Sequence, residues 1–461
     1  MGKYLLNSSV AEAIYTEHER PIYAGNPWIE ALPNIPDDKE LFRSLAEKIP
    51  YDEKERELDD YIRRECVHSL TQLLVPLSQN GEIARKVYSA IREGYLNRNP
   101  LANSMRTRTA QLQQCVMTKD SSFRSLSSSN ANANGFCIVG DSGLGKTTAV
   151  NKALNIFPQV IVHERYHDMP FNSNQLVWLR LECPHDCSVK ALITDFFSQF
   201  DQVMNDNTYY KHAAGGRTSV DQMIPQMALI AQRHGLGLLI IDEIQNLSRA
   251  KSGGAEKMMS FIVQLVNTIG VPVLLMGTPN AVPFLSSNLM TIRRSAGQQG
   301  MTKLHPLARE SSDWERLIKN LWKYQWTRQQ SPLTDEISIL MHEYSVGNID
   351  AAIKIYMQAQ RIAIGGERFG GNGMIDADAI QAAVHSDELA DVLARLHLEK
   401  KWEQEKQAKR TITTSSVQSV TPQAQNISSV KKATRKKKRK PESGLKALEE
   451  QGLVVSPSDD F

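Results

Sequence analysis

The chain has 461 residues, of which 41% are hydrophobic and 23% are charged, and its formal net charge at pH 7 is +3. That length predicts two or three domains, and the near balance of charges excludes a protein that is basic throughout. Five cysteines in a long chain argue against a disulfide framework. Residues 1–17 lack the apolar core of a signal peptide, and no stretch reaches the ~18 apolar residues of a membrane span. We therefore expect a soluble, intracellular protein in a reducing compartment.

Residues 1–103 are predicted to form a mostly helical N-terminal region that acts as an adaptor. Its opening contains several prolines, which mark turns. A charged helix is predicted over Asp52–Glu65, and two amphipathic helices over Cys66–Leu77 and Glu82–Tyr95. A linker rich in Ser and Asn at 121–134 leads into the next element.

Residues 104–306 alternate short apolar runs with helical patterns. The runs are Phe136–Val139, Val177–Leu181, Leu238–Ile241 and Val273–Met276. Each is bounded by glycine or polar residues, which is typical of buried parallel strands. Gly254–Thr268 shows apolar residues at helical spacing. Strands that alternate with helices predict an α/β fold with a doubly wound parallel sheet.

The remaining chain is predicted to be helical and then disordered. Residues 307–409 carry apolar faces at helical spacing, one over Trp314–Trp322 and another over Ile349–Met357, and a long helix over Asp387–Arg410. Residues 410–461 are polar and include the basic run Arg435–Lys440. We expect this basic tail to be disordered and to contact DNA or a protein partner, the alternative being a solvated tail without a role.

A glycine-rich stretch follows the first predicted strand of this region. It fits G-x-x-x-x-G-K-[ST] without a mismatch, and a strand precedes it while a helix follows, which argues against a chance glycine-rich turn. Backbone N–H groups of such a loop cradle phosphates at the helix N-terminus. Lys146 is expected to reach the β- and γ-phosphates of ATP, and the Thr147 hydroxyl to bind Mg²⁺. The predicted nucleotide-binding residues are Gly140, Asp141, Ser142, Gly143, Leu144, Gly145, Lys146, Thr147 and Thr148.

Two acidic residues end the strand at 238–241. Asp242 is expected to hold Mg²⁺, directly or through water, and Glu243 to polarise the water that attacks the γ-phosphate. A pair of acids after a strand is weak evidence for an ATPase by itself. It becomes strong evidence when a glycine-rich phosphate-binding loop, or P-loop, precedes it in the same sheet. Together the two motifs predict an ATPase with ATP and Mg²⁺ as cofactors.

Two further positions are candidates for catalysis. Thr278 or Asn280, after the strand at 273–276, would contact the γ-phosphate or orient water, or would form an ordinary polar strand end. Arg293 and Arg294 follow, and local sequence alone favours a solvated pair. In an assembly of subunits, however, such arginines reach a neighbour's ATP and stabilise the transferred phosphoryl group.

Four such elements, followed by a helical region, resemble an AAA+ ATPase with its lid. The finer pattern resembles the TnsC family, the AAA+ regulators of cut-and-paste transposons, which are related to MuB and IstB. The resemblance spans about residues 20–405. It is carried by Asn26–Pro33, Tyr95–Pro100, Cys183–Lys190 and Gly277–Pro279.

The TnsC resemblance implies an AAA+ P-loop NTPase with a parallel sheet core at 104–306 and a helical lid at 307–409. Such a protein binds ATP and Mg²⁺ and assembles as a homo-oligomeric ring or helical filament on double-stranded DNA in the bacterial cytoplasm. It receives a signal from a TniQ-like or TnsD-like target selector, alone or with a CRISPR effector complex, and recruits transposase subunits. ATP hydrolysis then dismantles the assembly. The alternatives are a helicase loader or replication initiator, and a scaffold that binds ATP without turnover.

The lid departs from the AAA+ pattern at one position. Many AAA+ lids carry an arginine after a Gly-Asn pair, whereas Asp350 stands after Gly347–Ile349 here. A lid arginine acting on phosphate is therefore in doubt, and Lys354, one turn later, is the candidate substitute.

Contacts to DNA require only cations that face the phosphates. The candidates lie on loops or helix starts between the ATP motifs: Lys190, Lys211, Arg217, Arg249 and Lys251. Cys183, His185 and Cys187 are spaced closely enough to suggest zinc, but a structural zinc site needs a fourth ligand. The favoured alternative is a turn in which Asp186 or Ser188 caps a helix that starts near Val189.

Overall fold

A computed structural model describes residues 9–17, 20–34, 36–118, 135–206, 208–214, 218–250, 253–285, 300–367 and 372–398. All of them belong to one compact unit, Met1–Lys401. Several predictions fall outside the described residues: those for the linker at 121–134, for Arg217, Lys251, Arg293 and Arg294, and for the tail at 410–461.

Five strands form the central sheet, in the order β5-β6-β7-β2-β8. They are β2 (Phe136–Val139), β5 (Trp178–Glu182), β6 (Leu238–Asp242), β7 (Val273–Gly277) and β8 (Met301–Lys303). All neighbours are parallel. Every residue of β2, β6 and β7 is buried, which explains their continuous apolar sequences. The four predicted strands are confirmed, and β8 was missed because three residues with one charge give no strand pattern.

Helices cover both faces of this sheet. On one face, strand residues such as Leu239 of β6 and Leu275 of β7 pack on α7 (Val189–Met204), α9 (Val220–Arg233) and α10 (Gly254–Ile269). On the other face Ile240 and Leu274 pack on α4 (Ser78–Leu96) and α6 (Lys146–Leu154). Successive strand residues point to opposite faces, so one run of apolar residues supplies both cores. The predicted α/β architecture is confirmed.

A second, smaller sheet was not predicted. It has the order β1-β3-β4, with β1 (Val10–Glu12) parallel to β3 (Val160–Tyr166) and β3 antiparallel to β4 (Met169–Leu176). The sequence of β4 contains four polar residues among eight and is largely solvent-accessible, so it lacks the apolar run of a buried strand.

The N-terminal region packs in two places. The helices α1 (Pro27–Glu30), α2 (Asp38–Leu45) and α4 join the sheet core, together with α5 (Asn103–Thr118). The apolar residues of 49–77 instead join the core of the C-terminal helices. The helix predicted over Glu82–Tyr95 is confirmed and extends further at its start.

Two helix predictions in this region were wrong. Asp52–Glu65 is interrupted: a 3-10 turn at Glu53–Glu57 ends before extended backbone at Leu58, and α3 runs over Asp60–Cys66. Cys66–Leu77 is not one helix either, because a 3-10 turn over Val67–Gln72 gives way to extended chain. Pro76 disfavours a helical residue before it. Leu73, Val75 and Leu77 are buried at every second position, a strand-like period.

The C-terminal helices form a core of their own. They are α11 (Ser312–Leu321), α12 (Asp335–Ser345), α13 (Ile349–Gly366) and α14 (Ala377–Val384), and residues 390–398 are also helical. Ser311, Thr334, Asn348 and Asp376 each cap the helix that follows by accepting a backbone N–H. The predicted apolar faces are confirmed as buried. Of the long helix predicted over Asp387–Arg410, residues 399–410 lie outside the described residues.

In the part of the chain that the structure describes, no helix combines the length and apolarity that crossing a bilayer requires.

Candidate functional site

A cavity of about 510 Å³ opens at the carboxyl ends of the central strands. In doubly wound sheets this edge is where ligands bind. Three parts of the chain line it: the loop and helix start after β2, the residues that follow β6 and β7, and a wall from the N-terminal region and the C-terminal helices. The lining residues from the predicted loop are Ser142, Gly143, Gly145, Lys146, Thr147 and Thr148.

The glycine-rich loop has the backbone that its glycines permit. Gly143 and Gly145 have φ values of 81° and 79°, a left-handed region that L side chains rarely adopt. Gly145 precedes α6, so the N-terminus of that helix faces the cavity. Its free N–H groups and partial positive charge suit a phosphate. Leu144 points away from the cavity into the core.

Lys146 folds back onto the loop. Its Nζ donates to the carbonyl oxygens of Gly140 and Asp141, at 2.7 and 2.8 Å. Burial lowers the pKa of Lys146, and the charges of Asp141, Asp242 and Glu243 partly oppose that effect. A phosphate bound in the loop would restore charge balance around this ammonium group.

Asp242 and Thr147 lie side by side. Asp242 ends β6 and is 3% exposed, and its Oδ2 accepts from the Thr147 hydroxyl at 3.4 Å. A carboxylate and a hydroxyl are hard oxygen donors, and one or two such groups plus substrate phosphates are the usual protein ligands of Mg²⁺. The donor set therefore fits this ion. Among the described residues no group of three or more His, Cys, Asp and Glu side chains is arranged to hold a metal by itself.

Glu243 has a left-handed backbone, with φ 56°, which is uncommon for a residue other than glycine. Its N–H donates to Asp242 Oδ1 at 2.8 Å. Such a conformation costs about 1–3 kcal/mol and marks functional sites. Glu243 lines the cavity.

Gln245 connects Glu243 to the end of β7, a link that the sequence did not reveal. Its Nε2 donates to Glu243 Oε2, and its Oε1 accepts from the Thr278 N–H at 3.0 Å. A Cβ on Gly277 would lie 2.6 Å from Gln245 Oε1, so a glycine is required for this approach. Thr278 lines the cavity, and within the described chain its buried Oγ1 has no hydrogen-bond partner. Asn280 is exposed and is not part of the lining.

A second residue that the sequence analysis missed is Arg180 of β5. Its Nη2 donates to Asp242 Oδ2 at 2.5 Å, and its Nη1 donates to Asn151 Oδ1 of α6 at 3.0 Å. The signal in the sequence was an arginine between two leucines in the strand Trp178–Glu182, which pairs with the strand that ends in Asp242.

The C-terminal helices contact the glycine-rich loop directly. Asn348 Nδ2 donates to the Ser142 carbonyl at 2.8 Å, and the Asp350 N–H donates to the Gly143 carbonyl at 3.1 Å. Lys354 pairs with Asp350 at 2.7 Å, and both side chains are about half exposed. Position 350 thus supplies a backbone contact to the loop, and the ammonium group of Lys354 faces its own helix.

An apolar wall completes the cavity. Leu73, Val75 and Leu77 of the extended segment face Leu317, Ile349 and Ile353 of the C-terminal helices. Such a slot suits the flat face of a purine base. The sequence analysis missed the wall because it assigned 66–77 to a helix.

The candidate DNA-contacting residues are described in part. Lys190 is half-buried in the first turn of α7, Lys211 is exposed on α8 (Thr208–Ala214), and Arg249 is exposed at the end of the 3-10 turn Ile244–Arg249. Their contact with DNA stays a prediction.

The turn after β5 is a structural element. Ser188 Oγ accepts from the Ala191 N–H at 3.3 Å and caps α7, as predicted. The Cys183 N–H donates to the Asp242 carbonyl at 2.9 Å, and Asn246 Nδ2 donates to the Cys183 carbonyl at 2.8 Å. This turn therefore braces the strand end that carries the two acids.

Comparison with known proteins is consistent with this geometry. Residues 130–285 match the model of a family described as AAA domain. No curated protein matches the chain. The core thus has a parallel-sheet P-loop NTPase fold of the AAA+ type, with a helical region before it and helices after it.

Similar solved structures include the Aeropyrum pernix ORC1 protein in complex with DNA, at 12% identity and a TM-score of 0.35, with 60% of this chain and 64% of that chain covered. A Walker-type ATPase of Pyrococcus abyssi matches at 14% identity and a TM-score of 0.38, with 63% of this chain and 76% of that chain covered. Cdc6p from Pyrobaculum aerophilum matches at 13% identity and a TM-score of 0.34, with 61% of this chain and 68% of that chain covered. The chain thus spans less than two thirds of the ORC1 protein. Likenesses this distant say nothing about substrate or partner.

Proposed function

We propose that this chain, which carries an AAA domain at residues 130–285, is an ATP-dependent, DNA-assembling regulator of transposition. The observation that carries the ATPase part is the cavity at the carboxyl edge of the sheet. There the glycine-rich loop, the acids after β6, Thr278 and the C-terminal helices all meet. The transposition part comes from the TnsC resemblance of the sequence.

In the proposed reaction each residue has one task. Backbone N–H groups of the loop and Lys146 bind the phosphates of ATP, and Thr147 and Asp242 hold Mg²⁺. Mg²⁺ would neutralise charge on the phosphates. Glu243 accepts a proton from the attacking water, and the free Thr278 hydroxyl binds the γ-phosphate or orients that water. The apolar wall of Leu73, Val75 and Ile353 takes the base.

ATP binding would be coupled to the lid through the loop. The Asn348 side chain and the Asp350 N–H both contact loop carbonyls, so a phosphate that shifts the loop also shifts α13. Asn348 also caps α13, so the side chain that contacts the loop is bonded to the start of this helix. At the other end of this helix, Glu367 pairs with the buried Arg63 of the N-terminal region at 2.6 Å. Nucleotide state would thereby reach the N-terminal region, which we propose meets the target selector.

Two stretches that resemble the TnsC family pack on one another. Asn26 Nδ2 donates to the Tyr95 carbonyl at 2.9 Å, and Asn99 Nδ2 donates to the Gly25 carbonyl at 2.8 Å. The Trp28 and Tyr95 rings lie 5.6 Å apart. These residues attach the N-terminal region to the sheet and lie away from the nucleotide cavity. A resemblance in such structural residues supports a shared arrangement of this region, beyond the general P-loop.

Assembly on DNA would depend on contacts between subunits and with the duplex. Arg293 or Arg294 of one subunit would reach the ATP held by Lys146 of the next, which makes assembly nucleotide-dependent. The basic tail would meet transposase subunits or DNA. The cations proposed to face the duplex are Lys190, Lys211, Arg217, Arg249 and Lys251.

The test is electron microscopy of the purified protein with duplex DNA, with and without a slowly hydrolysed ATP analogue. We expect rings or filaments on DNA only with nucleotide, and none for Lys146→Ala. Glu243→Gln should bind ATP, hydrolyse it poorly and give over-stable assemblies. Isolated particles in both conditions would contradict self-assembly, and normal hydrolysis by Glu243→Gln would remove Glu243 as the base. Absence of phosphate release by the wild type would leave an ATP-bound scaffold.

A further inference from the structure

Arg180 and Asp242 form an ion pair inside the nucleotide site. Asp242 is 3% exposed, whereas the Arg180 side chain is 28% exposed, and their nearest atoms are 2.5 Å apart. The carboxylate oxygen that Arg180 contacts is Oδ2, the same oxygen that the Thr147 hydroxyl approaches. One oxygen thus faces both the guanidinium group and the proposed metal-binding hydroxyl.

The sheet fixes where Arg180 stands. Glu182 of β5 is in register with Asp242 of β6, and Arg180 lies two residues earlier on the same strand. Residues two apart share a face of the sheet, and the Arg180 guanidinium reaches Asp242, so its side chain extends toward the carboxyl edge. Its second arm is held by Asn151, which lies on the helix that starts with Lys146.

The other charged side chains near Asp242, Lys146 and Glu243, form hydrogen bonds with other partners. The Lys146 ammonium donates to the Gly140 and Asp141 carbonyls, and the Glu243 carboxylate accepts from Gln245. Within the described residues, Arg180 is therefore the cation that pairs directly with this buried carboxylate. A buried carboxylate without such a partner is costly, which explains an arginine between two leucines in this strand.

We propose that Arg180 is a resident counterion that keeps free divalent metal from loading at Asp242, so that Mg²⁺ enters the site together with ATP. A divalent cation at Asp242 Oδ2 has to displace the guanidinium group or tolerate its charge nearby. Mg²⁺ that arrives on ATP brings phosphate charge that offsets this repulsion. The inference rests on the proposed ATP site, and it assigns the order in which its parts assemble.

The experiment measures Mn²⁺ as a stand-in for Mg²⁺, by the electron paramagnetic resonance signal of the free ion, on full-length protein without nucleotide. Arg180→Gln is expected to bind Mn²⁺ at least tenfold more tightly than the wild type, which is about 1.4 kcal/mol. Arg180→Lys keeps the charge and should stay near the wild type. Arg165→Gln is the matched control, because Arg165 lies on β3 and donates to the Asp168 carbonyl.

The same titration is then repeated with a slowly hydrolysed ATP analogue. Nucleotide should tighten Mn²⁺ binding strongly in the wild type and less in Arg180→Gln, because the coupling between the two ligands is what Arg180 provides. An Arg180→Gln affinity within twofold of the wild type would overturn the inference, and so would an Arg180→Lys protein that binds as tightly as Arg180→Gln.

Should Arg180→Gln fail to fold, Asn151→Leu loosens one arm of the guanidinium group. A smaller tightening of Mn²⁺ binding supports the inference, and no change overturns it. Binding of a fluorescent ATP analogue is measured separately on each protein. If the wild type binds no nucleotide, the proposed function fails irrespective of the Mn²⁺ result.

Discussion

Gln245→Ala removes the only side chain in the described chain seen to link Glu243 with the end of β7. It deletes a hydrogen bond to a carboxylate, and such bonds contribute about 1.5–3 kcal/mol. It also leaves the Thr278 N–H without its acceptor. If the bond holds Glu243 in place during water attack, a loss of about 1.4–2.8 kcal/mol in transition-state stabilisation lowers kcat by roughly ten- to hundredfold.

The assay is single-turnover phosphate release at saturating ATP, with nucleotide affinity measured separately. Gln245 lines the cavity beside the acids and not beside the apolar wall, so affinity should change little while kcat falls. Gln245→Glu keeps the shape but loses the N–H donor, and should be at least as slow. Ser248→Ala is the control in the same turn, because its hydroxyl donates only to the Gln245 carbonyl.

A double-mutant cycle separates positioning from general damage. In a Glu243→Gln background, Gln245→Ala should cause no further loss, because residues that act as a unit are not additive. A full additional loss in that background, or a kcat within twofold of the wild type for Gln245→Ala alone, would refute the reasoning.

The remaining predictions concern stability and reactivity. Arg63→Ala should lower the free energy of unfolding by about 3–5 kcal/mol in thermal or urea unfolding, because it breaks a buried bidentate pair. Arg64→Ala breaks a partly exposed i,i+4 pair on the same helix and should cost less, under about 1 kcal/mol. Burial raises the pKa of Glu367, but the hydrogen bond and charge of Arg63 outweigh burial and lower the pKa overall. The stabilisation from this pair is therefore present above the ordinary carboxyl pKa and is lost as pH falls through the lowered value. Equal acid sensitivity of wild type and Arg63→Ala would contradict this prediction. Burial raises the pKa of Cys183 to about 12. Iodoacetamide at pH 8 should therefore label the half-buried Cys115 well before Cys183, as followed by mass spectrometry. Equal labelling rates would contradict the burial of Cys183.

The chemistry of the site was predictable from short local patterns. Glycines at 143 and 145 followed by Lys146 specify a phosphate-binding turn, because only glycine adopts that backbone readily. Continuous apolar runs such as Leu238–Ile241 specify buried parallel strands, since both of their faces are covered. The sequence therefore determined the α/β class, the loop and the acids at the carboxyl edge.

The tertiary structure decided the contacts between residues that lie far apart in the chain. Arg180 and Asp242 belong to neighbouring strands, and Gln245 meets Thr278 through the approach that Gly277 allows. Nothing local to any of these residues encodes the pairing, because strand order is set by packing of the whole sheet.

The base-binding wall shows the same limit. Leu70, Leu73, Leu74 and Leu77 fit one face of a helix, whereas Leu73, Val75 and Leu77 fit one side of an extended chain. Pro76 was a local sign against the helix. Burial against the C-terminal helices decided the question, because an extended segment lets all three side chains enter one core. The sequence alone determined which chemistry the site holds, and the packing of distant segments determined which side chains enclose and control it.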